Sequence, residues 1–148
     1  MNFPEVTAID ISDRAIAVAK ENAALQKVKV DFQTADALDL GAALTAKYDI
    51  IVSNPPYVMD KEKSAMDANV LDHEPAIALF VPDSDPLKFY KAIADYAADA
   101  LTDGGRLYFE LNPLTADSLK DWMQQSGWRD VSLLPDLHAK TRFMIARK

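Results

Sequence analysis

Residues 48–52, Tyr48-Asp49-Ile50-Ile51-Val52, form a nearly unbroken apolar run that stops abruptly at Asn54-Pro55-Pro56-Tyr57. A strand with one face in water alternates apolar and polar residues; a short continuous apolar run reads instead as a central strand covered on both faces. Sheets covered on both faces belong to α/β folds, so this stretch implies helices before and after it.

The rest of the chain supplies them. Residues 6–10 read as a strand ending in Asp10, and Ser12 caps a helix over 13–26 with Ile16, Ala19 and Ala23 inward. A short strand over 28–32 follows, with Val28, Val30 and Phe32 alternating, then a loop through Asp36 and a helical turn over 41–46. Residues 53–85 show no clear period, and aperiodic connections this long are usually functional or disordered. Asp85-Pro86 then opens a helix as capping acid and first-turn proline, with Phe89, Ile93, Ala97 and Leu101 on its inner stripe. Gly104-Gly105 makes a turn into a strand over 106–111. A helix over 115–126 carries Leu119, Trp122 and Met123 and is stopped by Gly127. Strands over 128–134 and 142–147 are close enough in sequence to pair antiparallel. With no internal repeat or linker, residues 1–148 are expected to form one domain.

Composition excludes several classes. Sixteen basic against 23 acidic side chains give a net charge of -7, which argues against a dedicated nucleic-acid binder. The chain has no cysteine, which removes disulfides, thiolate metal sites and cysteine nucleophiles. No His, Asp and Glu cluster has metal-ligand spacing, so no metal is expected, and no Ser-His-Asp arrangement is evident. No apolar run approaches the roughly 18 residues that span a bilayer, and no leader pattern opens the chain; a cytoplasmic, membrane-free protein is the expectation.

The chemistry concentrates in Asn54-Pro55-Pro56-Tyr57. Ligands of open α/β sheets bind outside the carboxyl ends of the strands, where this tetrapeptide falls. Successive prolines remove two backbone donors and fix the chain, so an Asn side chain and a backbone carbonyl can accept both hydrogens of one NH2 group. Tyr57 offers a flat face to a planar group. An amide nitrogen has a delocalised lone pair and is far too weak an acid to lose a proton at neutral pH; its reaction with an electrophile rests on orientation and fixed dipoles. A proline-stiffened turn with an asparagine cap is the plainer reading of Asn-Pro-Pro alone. The tyrosine and the strand before it favour the ligand-binding reading. Asp10, at another strand end, suits the ribose hydroxyls of a nucleoside; it also stands near a helix start, where Ser12 and Asp13 are better placed to cap.

These residues resemble those of the release-factor glutamine methyltransferases, the HemK-type family. The resemblance rests on Asn54-Pro55-Pro56-Tyr57, on Ile50-Ile51-Val52-Ser53 before it, and on Glu74-Pro75-Ala76-Ile77-Ala78-Leu79 and Asp85-Pro86-Leu87 after it. It implies a Rossmann-like S-adenosylmethionine-dependent methyltransferase fold ending in an antiparallel hairpin. It also implies methyl transfer to a glutamine side-chain amide of a peptide chain release factor, by in-line displacement at the sulfonium methyl. Asn54, Pro55, Pro56 and Tyr57 become the catalytic segment, with Asn54, Pro55 and Tyr57 on the amide. Asp10 takes the ribose, Ile11 packs on the adenine, and Asp36 with Ala37 lies beside it. Glu74 helps shape the substrate pocket, although His73 stands where the family commonly has an aromatic residue. Glu110 and Asn112 lie at a further strand end, facing either the cleft or water, and Lys140 and Arg142 read as turn and edge-strand charges.

The resemblance implies two absences as well. The family's glycine-rich cofactor loop and its helical N-terminal domain have no counterpart, since Asp10 lies so near Met1 and no glycine precedes Gly41. Without the family's first, central strand, the strands over 6–10 and 48–52 are left with unpaired edges, and the isolated chain is expected to be poorly stable, or else rearranged or associated through those edges. Two rival functions share features of the chain: an amino methyltransferase acting on adenine or guanine in nucleic acid, and a non-catalytic protein-binding module.

Overall fold

A computed structural model describes residues 4–43 and 46–148. They fall into two compact units, Met1–Leu44 and Thr45–Lys148.

The first unit is a strand–helix–strand crossover. Strand β1 (Thr7–Asp10) lies parallel to β2 (Asp31–Thr34), with Asp10 opposite Thr34, and helix α1 (Asp13–Gln26) joins them. The Ser12 hydroxyl accepts from the Ala15 amide at 3.2 Å, as expected of the cap. On the inward face of α1 Ile16 is buried, while Ala19 and Ala23 are partly exposed. Strand β2 starts three residues later than the alternation of Val28, Val30 and Phe32 suggested. The reason is the helix exit: Lys27 takes a left-handed conformation (φ 55°), and the Val28 amide bonds back to the Ala23 carbonyl. That closing turn commits Val28, so strand pairing begins only at Asp31. A short helix α2 (Leu40–Ala43) stands near the turn expected over 41–46, part of which lies outside the described residues.

The second unit opens with β3 (Tyr48–Ser53). The aperiodic stretch after it breaks into small pieces: β4 (Val58–Met59), a 3-10 turn (Asp60–Ala65), α3 (Ala68–His73), α4 (Ala76–Leu79) and β5 (Phe80–Val81). Parallel pairing of β4 with β5 draws the two ends of this excursion together. Then follow α5 (Lys88–Ala100), β6 (Leu101–Glu110), a 3-10 turn (Pro113–Thr115), α6 (Ala116–Gln125), β7 (Arg129–Pro135) and β8 (Thr141–Arg147). The four-stranded sheet runs β3-β6-β8-β7, with β3 parallel to β6 and the expected hairpin β7–β8 antiparallel.

Helix α5 packs on β6, and α6 packs on β7 and β8. The core is built from Tyr90, Ile93, Ala94 and Ala97 of α5, Leu107 and Phe109 of β6, Leu119 and Met123 of α6, and Met144 of β8. Tyr90 meets Phe109 edge-on, with ring centroids 5.1 Å apart.

Three expectations need correction. Helix α5 begins at Lys88, not at Asp85-Pro86: Pro86 and Leu87 form a turn whose Asp85 carbonyl takes the Lys88 amide at 3.3 Å. Its buried face is correspondingly rotated, with Tyr90 fully buried and Phe89 partly exposed. Gly104-Gly105 does not precede β6 but lies inside it, where the register against β3 slips between Tyr48–Leu101 and Ile50–Arg106. Finally, among the described residues β3 is not covered on both faces. It pairs with β6 alone among the described residues, and Ile50 and Val52 are 57% and 74% exposed. An apolar run records a demand for cover, and the cover itself must come from another element. Strand β1 likewise has a neighbour on one side alone among the described residues.

The bulge in β6 depends on Gly105. A Cβ there stands 2.9 Å from the Thr102 carbonyl oxygen, closer than such contacts allow. Gly105→Ala is therefore expected to destabilise the fold by about 1–3 kcal/mol, the usual range for overpacking, read as a lower denaturation midpoint with an unchanged slope.

Candidate active site

The Asn54–Tyr57 segment leaves the carboxyl end of β3, where Ser53 still pairs with Phe109. Pro55 is buried and Asn54 is exposed. No hydrogen bond within the described residues occupies the Asn54 amide, whereas Tyr57 is held at both ends. Its phenol donates to Glu110 Oε1 at 2.8 Å, and its backbone carbonyl accepts from Asn112 Nδ2 at 3.1 Å. Arg142 Nη1 approaches the phenol oxygen at 3.5 Å. Burial, then the hydrogen bond to Glu110 and its negative charge, hold the Tyr57 phenol above its ordinary range against the smaller pull of Arg142. The group is a neutral donor at physiological pH.

Asn112 is 4% exposed, and the rest of its amide is also engaged. Nδ2 donates to Glu62 Oε2 at 2.8 Å, and Oδ1 accepts from the Leu114 amide at 2.9 Å. The same Glu62 oxygen takes the Met59 amide at 2.9 Å, tying down the residues that follow Tyr57. In residue order Glu110 and Asn112 stand at a strand end without a partner, and nothing marks Glu62. The edge-strand charge expected at Arg142 is corrected: β8 is an interior strand, between β6 and β7, and Arg142 reaches Tyr57. A visible signal was Asn112 itself, a polar residue between Leu111 and Pro113 at the end of an apolar strand. Glu74 is exposed at the end of α3, and His73 beside it is exposed too.

The other predicted residues lie in the first unit, together at the carboxyl end of its parallel pair. Asp10 Oδ1 accepts from the Ser12 amide at 2.8 Å, and the Asp10 carbonyl accepts from the Ala35 amide at 3.1 Å. Asp36 Oδ1 accepts from the Leu38 amide at 2.8 Å. Both aspartates are exposed, and each has its second carboxylate oxygen unengaged among the described residues. Ile11 is exposed and Ala37 partly so. Among the described residues no group of His, Asp or Glu is placed to hold a metal ion, and no helix is long and apolar enough to cross a membrane.

Comparison with solved structures shows the fold. A methyltransferase from Pyrococcus furiosus aligns with 97% of this chain and 62% of its own at a TM-score of 0.71 and 16% identity. The chain has the Rossmann-like fold of S-adenosylmethionine-dependent methyltransferases. Residues 2–76 match the methyltransferase small domain, and the chain belongs to that family. Curated relatives narrow the likeness. The release factor glutamine methyltransferase of Bacteroides thetaiotaomicron is 42% identical over 99% of this chain and 54% of its own length. That of Flavobacterium psychrophilum is 39% identical over 97% of this chain and 50% of its own. The chain thus spans about half the length of the curated relatives it matches.

Proposed function

We propose that this chain is most of the catalytic domain of an S-adenosylmethionine-dependent methyltransferase that modifies the side-chain amide nitrogen of a glutamine in a peptide chain release factor. The observation that carries the reading is the Asn54–Tyr57 segment: an exposed Asn54 amide with no hydrogen bond among the described residues, a buried Pro55 and a Tyr57 tied at both ends, at the carboxyl end of a strand. The names of relatives at 42% and 39% identity support the substrate. Asn54 Oδ1 and the Pro55 carbonyl accept the two N–H bonds of the substrate amide, Pro56 keeps the segment extended, and Tyr57 packs against the amide plane. Glu74 contributes to the substrate side. The exposed Asp10 and Asp36, each with one carboxylate oxygen unengaged among the described residues, fit a nucleoside: Asp10 takes the ribose hydroxyls and Asp36 the adenine amino group, with Ile11 and Ala37 against the base. Bound S-adenosylmethionine supplies an electrophilic methyl group. A release-factor substrate also implies a cytoplasmic location, with no membrane and no direct nucleic-acid partner.

Calorimetric titration with S-adenosylmethionine tests the cofactor half. Saturating heat is expected, with affinity at least about tenfold lower in Asp10→Ala, since hydrogen bonds to a charged group are worth about 1.5–3 kcal/mol. Tritiated cofactor then tests the acceptor: label is expected on a glutamine of the release factor. Label in DNA or RNA instead would favour the nucleic-acid reading. A folded chain that binds the factor but no cofactor would favour the binding module.

A further inference from the structure

We infer that Glu110 and Asn112 are positioning residues that mount Tyr57 at both ends, the phenol on the Glu110 carboxylate and the backbone carbonyl on the Asn112 amide. The proposal stands on the geometry of the second unit; only its kinetic arm rests on the methyltransferase reading.

The mount is itself rigid. Glu110 pairs with Phe143 across β6 and β8, and its carbonyl accepts from the buried Tyr90 hydroxyl at 3.2 Å. Asn112 has one usable orientation. Both of its Nδ2 hydrogens are spent, on the Tyr57 carbonyl and on Glu62, and its Oδ1 takes the Leu114 amide. A flipped amide turns an acceptor toward two acceptors and a donor toward a donor. A tyrosine tied only at its hydroxyl can still move with its backbone, and one tied only at its backbone can change χ1. Held at both points, the ring keeps one pose before any ligand arrives. Preorganisation of this kind lowers the barrier of a reaction that depends on orientation, and misplacement by about 1 Å costs about 100-fold. Both mounting residues come from the end of a strand more than fifty positions away in sequence.

The test uses protein labelled at tyrosine Cζ, with the Tyr57 resonance assigned by its loss in Tyr57→Phe. In the native chain that resonance is expected to titrate above the free-tyrosine range, and Glu110→Gln is expected to lower its midpoint. Asn112→Asp, which places a carboxylate against the Tyr57 carbonyl and Glu62, is expected to shift or broaden the resonance. It should also lower kcat by about 100-fold with little change in KM. Adding Glu62→Gln restores one donor and should recover part of the loss. A native resonance that titrates as an ordinary phenol, or one unmoved by Glu110→Gln in a chain whose circular dichroism is unchanged, overturns the proposal. If Asn112→Asp does not fold, the Glu110→Gln titration decides alone. If the native chain transfers no methyl group, the proposed reaction fails while the ring titration still decides the mount.

Discussion

Replacing Asn54 with alanine is expected to lower methyl transfer by about 10²–10³-fold, the usual cost of removing one preorganised polar contact at a reacting centre. The side chain is exposed and makes no hydrogen bond within the described residues, so its loss should change stability by no more than about 0.5 kcal/mol. That separation makes the variant informative: the thermal midpoint should hold while the single-turnover rate collapses. The physical reason is the acceptor. An amide nitrogen becomes reactive toward a methyl electrophile when its N–H bonds are held so that its lone pair leaves conjugation with the carbonyl, and alanine offers nothing to hold them. Asn54→Asp keeps an oxygen acceptor and should recover part of the rate. If Asn54→Ala transfers methyl within a few-fold of the native rate, the side chain does not hold the substrate nitrogen, and the proposed role of the segment is wrong.

The second large effect concerns the sheet edges. The 148-residue chain is expected to self-associate, because among the described residues one edge of β3 has no strand partner for its backbone donors and acceptors, and Ile50 and Val52 are exposed beside it. Such an edge is a template for another strand. Two copies related by a two-fold axis can join β3 to β3 antiparallel, each burying the other's apolar side chains. Val52→Lys leaves the fold nearly untouched, since the residue is 74% exposed. It sets like charges across the pairing and should weaken association by about 100-fold, or about 2.7 kcal/mol. Sedimentation velocity over a concentration series reads this directly. A native chain that stays monomeric at every concentration, or a Val52→Lys chain that associates as tightly, rules the edge out as the contact.

The two effects draw on different kinds of information in the chain. The α/β class, the capping by Ser12, the antiparallel hairpin at the end and the place of Asn54–Tyr57 after a strand are all legible in residue order. Each depends on interactions within a few residues: a cap reaches three positions, a proline acts on its own backbone, and an apolar period repeats over one or two turns. The same short range explains the misplacements. The pattern around Asp85 marks where a helix can begin, yet packing of Tyr90 against Phe109 accompanies a helix that begins at Lys88. The glycine pair reads as a turn, and only pairing with β3 makes it a bulge inside β6.

The candidate site divides in the same way. Asn54, the two prolines and Tyr57 were identifiable because their chemistry lies in consecutive residues. The partnership of Glu110, Asn112 and Arg142 with Tyr57 was not, because they meet it across 53, 55 and 85 positions of chain. Sequence order carries no distance between such residues. The order β3-β6-β8 brings the carboxyl end of β3 beside the end of β6, and β8 beside that, and so turns a strand-end acid and a buried amide into the mount of one tyrosine ring, with Arg142 beside its hydroxyl.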